Sequence, residues 1–155
     1  GGEPLLHFRV LKSWLPALKR FLPIFLETNG ILHAELSECI DLIDYVSMDV
    51  KLPSTSGAQG LWEDHLAFMR IASRRNLYVK VVVSDTTTAD EVRKTCELIL
   101  SVDKAIPLVL QPLTSAQGAV STIPARSLFK FQEIAASLLR EVRVIPQTHR
   151  FLGLF

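Results

Sequence analysis

The chain has 155 residues, 48% hydrophobic and 21% charged, enough apolar mass for one sizeable core. Seventeen basic and sixteen acidic side chains give a formal net charge of +1, so no overall electrostatic case exists for nucleic acid or a membrane surface as partner. The apolar stretch Leu5 to Leu26 is interrupted by Arg9, Lys12, Lys19 and Arg20 and does not read as a membrane span. Cys39 and Cys96 are the two cysteines, too far apart for a disulfide framework or a metal site; they read as buried thiols of a reducing cytosol.

The chain opens on Gly1-Gly2-Glu3-Pro4 without a methionine, which points to a fragment whose upstream strands and helices are missing. Leu5 to about Arg20 follows as a helix, with Leu11, Trp14, Leu15 and Leu18 on one face and Pro16 predicting a kink or a break into two pieces. Ile24-Phe25-Leu26 is a short strand closed by Glu27-Thr28-Asn29-Gly30, where Asn-Gly marks a turn. A helix over His33 to Ile43 leads to a strand over Tyr45 to Val50, and the Pro/Ser/Gly-rich stretch Leu52 to Gly60 reads as a loop. Trp62 to about Arg75 is helical, with Trp62, Leu66, Met69 and Ala72 as its stripe. Leu77 to Val83 is a β-branched buried strand.

Thr88-Ala89-Asp90-Glu91 is a capping box opening a helix that turns Val92, Cys96 and Ile99 inward. Pro107 to Leu110 is a strand, and 111–123 a loop. Pro124 suits the first position of a helix reaching about Arg140, with Phe131, Ile134, Ala135 and Leu138 inward. Val142 to Ile145 is the last strand. Strands alternate with helices, the signature of parallel βα units, and the near-continuous apolar strands predict that both faces are covered. No internal repeat, low-complexity segment or second domain is visible. Polar clusters follow the strands: Glu27 to Asn29, Asp49 with Lys51, Ser84-Asp85, Gln111, and Gln147-Thr148-His149. In parallel α/β folds ligands bind at strand carboxyl ends, so these clusters converge on one mouth if the sheet curves into a partial barrel.

Two glycines allow close backbone approach to a ligand, and the glutamate beside them can accept from an ammonium group. Gly1-Gly2-Glu3-Pro4, Glu27-Thr28-Asn29-Gly30, Ser47 to Ser54 (SMDVKLPS), Gln111-Pro112-Leu113-Thr114 and Gln147 to Gly153 (QTHRFLG) occur in the order and spacing of one family. The set resembles 7-carboxy-7-deazaguanine synthases, radical S-adenosylmethionine enzymes, over essentially the whole chain. The last two stretches are the more specific; Gly-Gly-Glu-Pro is shared by the wider superfamily. The resemblance implies an α/β partial (β/α) barrel of the radical S-adenosylmethionine type with its first βα unit missing, occupying residues 1–155 as a single truncated domain.

It also implies conversion of 6-carboxy-5,6,7,8-tetrahydropterin to 7-carboxy-7-deazaguanine, toward queuosine and related deazapurines. The implied cofactors are a 4Fe–4S cluster, S-adenosylmethionine and Mg²⁺. A cytoplasmic homodimer, fed by a reductant such as flavodoxin, is implied as well. Carried over by position, Gly1, Gly2 and Glu3 hold the methionine part of the cofactor, Ser47 and Lys51 lie near its carboxylate and ribose, and Gln111 lies beside the adenosine. Glu27, Gln147 and His149 face the pterin, with the Phe155 carboxylate as a further candidate. A carboxylate opposite the N–H edge of a pterin can accept two hydrogen bonds, and an imidazole can donate to a substrate carbonyl or carboxylate.

Each residue also has a plainer reading: a strand-to-helix connection with Pro4 at the first helical position for Gly1 to Pro4, a turn for Glu27 to Gly30, a helix cap for Ser47 and Asp49, a solvated charge for Lys51, a strand-end partner for Gln111, surface loop for Gln147 and His149. His7, His33 and His65 read as ordinary helix residues without a partner at metal-ligand spacing. The chain departs from the family in one respect: the closely spaced cysteine triad that holds the cluster is absent, and two isolated thiols are too few. The 155 residues alone are therefore expected not to cleave S-adenosylmethionine. The alternatives are a cluster-less binding module on the same fold, or another radical enzyme such as a glycyl-radical activase.

Overall fold

A computed structural model describes residues 2–57, 61–115 and 122–148. Five strands form one sheet, β1 (Phe25–Thr28), β2 (Tyr45–Val50), β3 (Asn76–Val83), β4 (Leu108–Pro112) and β5 (Val142–Val144). All four pairings are parallel, and the spatial order is the chain order. The helices are α1 (Phe8–Leu18), α2 (His33–Cys39), α3 (Pro53–Ser56), α4 (Trp62–Ala72), α5 (Ala89–Val102) and α6 (Ala125–Ala136). The longer helices touch in sequence, α1 with α2, α2 with α4, α4 with α5 and α5 with α6. A sequential parallel order with one continuous helix layer is what repeated βα units of constant crossover hand produce. The arrangement is compatible with a partial βα barrel.

Alternation along the strands sets two different faces. Leu26, Val46, Met48, Val50, Val79, Val81, Leu108 and Leu110 are buried in one continuous core with Phe68, Met69, Cys96 and Ile99 of the helix layer. The other face carries Glu27, Asp49, Tyr78, Lys80 and Gln111, and β3 reads exposed-or-intermediate at every second residue. The second face is polar and not apolar, although Ser47 and Val109 on it are buried. The apolar character of β3 comes from its helix-facing valines, while Tyr78 and Lys80 sit between them on the open side.

Local signals account for most element ends. Thr88 accepts from the Glu91 N–H, and the Glu91 side chain accepts from the Thr88 N–H, which is the expected capping box. Gly30 ends β1 at φ +67°, a conformation that L side chains rarely adopt. Pro16 does not break α1: it lies in the last turn, and the chain runs helically to Leu18. The interruption falls earlier, where Pro4–His7 form a 3-10 turn. Trp14 and Leu18, on one face with Leu11 and Leu15, are 63% and 51% exposed, so α1 is anchored chiefly through Leu15. At the end of α6 Leu138 is exposed and Leu139 buried, because the helical period ends at Ala136. The expected loop after β2 contains the single-turn helix α3, closed by Gly57 at φ +68°. Both cysteines are buried, as expected.

Candidate functional site

The carboxyl ends of β1 and β2 meet the start of the chain. Glu3 accepts from the Leu5 N–H at 3.1 Å, the Thr28 hydroxyl at 2.8 Å and the Asn29 N–H at 2.7 Å. Its carboxylate thus ties the first turn to the end of β1. These three bonds fill three of its roughly four acceptor positions. A cleft of about 330 Å³ lies beside it, lined by Gly2, Glu3, Glu27, Thr28, Asn29, Asp49 and Lys51. Open space surrounds Gly2, where a side chain would meet nothing within 4 Å.

Across the open face the charges alternate. Glu27 on β1 pairs with Lys80 on β3 at 2.7 Å; Lys80 lies 3.9 Å from Asp49 on β2; Asp49 accepts from Lys51 at 2.8 Å. Register explains the meeting, since Asp49 stands opposite Lys80 and Glu27 opposite Ser47. Burial works against the Lys80 ammonium. The Glu27 hydrogen bond and the nearby Asp49 carboxylate outweigh it, holding the Lys80 pKa above the usual lysine range.

Two oxygens on this face are buried without a protein partner: Ser47 Oγ and Asp49 Oδ1. They come from alternate residues of β2 and so share one side of the sheet. A buried polar atom left unpaired costs roughly 1–3 kcal/mol, which a ligand donor would recover. Gln111, one rung beyond Lys80, lies on the same face beside a second cavity of about 360 Å³ that also touches Lys80 and Tyr78. A wider groove between α1 and α2 lies on the helix layer and belongs to neither.

Gly2, Glu3, Glu27 and Lys51 thus line one cleft, with Ser47 on the adjacent strand face and Gln111 farther across the sheet. Gln147 is engaged: its side-chain oxygen accepts from the Thr114 N–H at 2.8 Å, tying the segment after β5 to the end of β4. Ser84 is engaged as well, its hydroxyl within 2.8 Å of Thr86 and its N–H donating to Thr87 in the turn after β3. That cluster makes a turn and does not join the mouth. Gly1, His149 and Phe155 lie outside the described residues.

His65 was read as an ordinary helix residue, and the structure corrects this. It is fully buried; Nδ1 is 2.9 Å from the Gly30 carbonyl, and Nε2 accepts from the Lys51 N–H at 3.0 Å. Burial lowers its pKa below the usual histidine value, against smaller opposing effects of the Gly30 carbonyl, Asp49 and Asp64. The available sequence signal is its position: His65, Phe68, Met69 and Ala72 fall at i, i+3, i+4 and i+7, so the imidazole occupies a core place.

The described residues contain no group of three His, Cys, Asp or Glu side chains that could hold a metal ion. Burial raises the Cys39 thiol and pushes Cys96 up to about 11, the reverse of what a metal-binding thiolate needs. These residues therefore do not fit an iron–sulfur cluster. Their chemistry suits a polar organic ligand instead, with the Glu3, Glu27 and Asp49 carboxylates and the Lys51 ammonium lining one cleft. No helix among the described residues is long and apolar enough to cross a membrane.

Fold and site together define a parallel α/β protein with a polar cleft at the carboxyl ends of its first two strands. No family model matches the chain. It is 47% identical over 153 residues to the 7-carboxy-7-deazaguanine synthase of Geobacter sulfurreducens, covering 99% of the chain and 61% of that protein. It is 33% identical over 173 residues to the synthase of Methanothermobacter thermautotrophicus, covering 68% of that protein, and 31% identical over 157 residues to that of Methanopyrus kandleri. The chain belongs to the 7-carboxy-7-deazaguanine synthase family. It spans 58% to 68% of the length of these three relatives.

Proposed function

We propose that this chain supplies the ligand-binding edge of a radical S-adenosylmethionine 7-carboxy-7-deazaguanine synthase, acting on 6-carboxy-5,6,7,8-tetrahydropterin. One observation carries the site: Ser47 Oγ and Asp49 Oδ1 are buried, unpartnered and on one face, beside a cleft reached by Glu3, Glu27 and Lys51. S-adenosylmethionine, when bound, supplies the adenosyl group used in hydrogen abstraction. The free acceptor position of Glu3 takes its ammonium, and Gly1 and Gly2 let backbone approach. Ser47 and Lys51 serve its carboxylate and ribose, and Gln111 the adenine side. Glu27 accepts from the N–H edge of the pterin, held in place by Lys80. Gln147, His149 and the Phe155 carboxylate complete the substrate side.

The two buried thiols cannot hold the 4Fe–4S cluster, so we assign the cluster and the Mg²⁺ ion to residues outside these 155. The 155 residues alone are accordingly inactive. They form one partial-barrel domain of the radical S-adenosylmethionine type. A homodimer, a reductant such as flavodoxin and a cytoplasmic location follow from the family resemblance alone.

The test uses the full-length protein. Ser47→Ala should weaken S-adenosylmethionine binding, measured calorimetrically, by at least about tenfold, equivalent to 1.4 kcal/mol. Glu27→Ala should raise the pterin KM while leaving S-adenosylmethionine affinity within about twofold. A full-length protein that binds neither compound, or a Glu27 variant that loses both equally, overturns the assignment.

A further inference from the structure

We propose that His65 is a positioning residue that clasps the β1 and β2 ligand loops together, as a neutral imidazole carrying its proton on Nδ1. The inference deepens the proposed function, since its consequence for ligands rests on that reading. The clasp itself rests on geometry alone.

His65 lies 35 residues from Gly30 and 14 from Lys51, and it bonds to the backbone of both. Gly30 closes the Glu27-Thr28-Asn29-Gly30 turn; Lys51 follows Asp49. Both partners are main-chain groups with fixed roles. The Gly30 carbonyl can only accept, so Nδ1 must donate; the Lys51 N–H can only donate, so Nε2 must accept. One tautomer of the neutral ring satisfies both, and neither the other tautomer nor the imidazolium does. The ring is fully buried, so water cannot replace either bond.

The surroundings leave little slack. A Cβ on Gly30 would lie 2.7 Å from Met48 Cγ and 3.3 Å from His65 Nδ1, so the turn, Met48 and the imidazole are packed as one unit. The charged groups facing the ring are Asp49 and Lys51 from the β2 end and Asp64 from α4 itself. The two carboxylates favour protonation, Lys51 opposes it, and burial opposes it most. A second proton on Nε2 would confront the Lys51 N–H. Acid should therefore open the clasp and release Asp49 and Lys51 from the cleft they share with Glu27 and Glu3.

The experiment has a ligand-free arm and a ligand arm, both in the full-length protein. Long-range ¹⁵N–¹H correlation on ¹⁵N-histidine-labelled protein should show His65 with its proton on Nδ1 at pH 7 and 8. The Lys51 amide should exchange slowly in the wild type and at least about tenfold faster in folded His65→Asn, which keeps a donor near Nδ1 but lacks the Nε2 acceptor. In the ligand arm, S-adenosylmethionine affinity should fall at least about tenfold in His65→Asn while kcat on saturating pterin changes by less than about threefold. Wild-type affinity should also weaken below about pH 6.5, and this limb should vanish in the variant. An Nε2–H tautomer, an imidazolium at pH 7, or a folded variant with unchanged Lys51 exchange overturns the clasp. Wild-type protein that binds no ligand but shows the Nδ1–H tautomer and a protected Lys51 amide refutes the proposed function and leaves the clasp standing.

Discussion

The same five strands present two faces that obey different rules. On the helix-covered side every strand contributes apolar side chains to one continuous core, and the helix-layer residues Phe68, Met69 and Ile99 are fully buried against it. On the open side Glu27, Lys80, Asp49 and Lys51 alternate in charge, and two buried oxygens lack partners. A core face is built to be complete in the folded chain, whereas a binding face leaves hydrogen-bonding capacity for something else. The difference separates stability from function within residues that are neighbours on one strand, such as Met48 and Asp49.

The comparison can be broken most sharply from the core side. Phe68→Ala should cost about 3–5 kcal/mol in urea unfolding of the full-length protein, with the folded fraction still binding S-adenosylmethionine. A loss under about 1 kcal/mol would mean that the helix face is not the stabilising one. Gly30→Ala sits where the faces meet and should cost about 1–3 kcal/mol from overpacking on Met48, with ligand affinity falling in parallel.

Smaller effects sharpen the contrast. Thr88→Ala removes the α5 cap and should cost about 1 kcal/mol with no change in ligand affinity, since the cap lies outside the cleft. Lys80→Met should change stability by no more than about 1 kcal/mol, its Glu27 partner being largely exposed, yet raise the pterin KM about tenfold. A Lys80→Met protein with intact KM would remove Glu27 positioning from the site. Burial would raise the Glu91 carboxyl, but the Thr88 and Ser54 N–H groups and the Thr88 hydroxyl hold it below 4.5. A depressed carboxylate stabilises the fold above the unfolded value and loses that contribution as pH falls through the folded one. Acid titration of Glu91→Gln should therefore show a shallower stability loss below about pH 4.5 than the wild type.

Several features were legible because they are local. The Thr88 to Glu91 capping box, the Asn29-Gly30 turn and the Tyr45–Val50 strand need only neighbouring residues, and each stands where the pattern put it. The co-location of Glu3, Glu27 and Lys51 was legible by a different route, from motif order, because parallel βα units bring strand carboxyl ends to one edge. The exposure of Trp14 and Leu18 was not legible, because helical period says which side chains share a face, not whether that face has a neighbour. The local pattern also marks Glu3 as part of a connection into the first helical turn, but not its bond to the Asn29 N–H, 26 residues away at the end of β1.

By itself, then, the sequence determined the succession of strands and helices, their caps and turns, and the family to which the chain belongs, because these depend on short-range chemistry and on motif spacing. Tertiary structure decided which sheet face is polar, which oxygens remain unpaired, and that a core histidine bonds to the backbone at the ends of two strands. Those outcomes depend on hydrogen bonds and packing between residues tens of positions apart, where register and burial, not local propensity, select the partners.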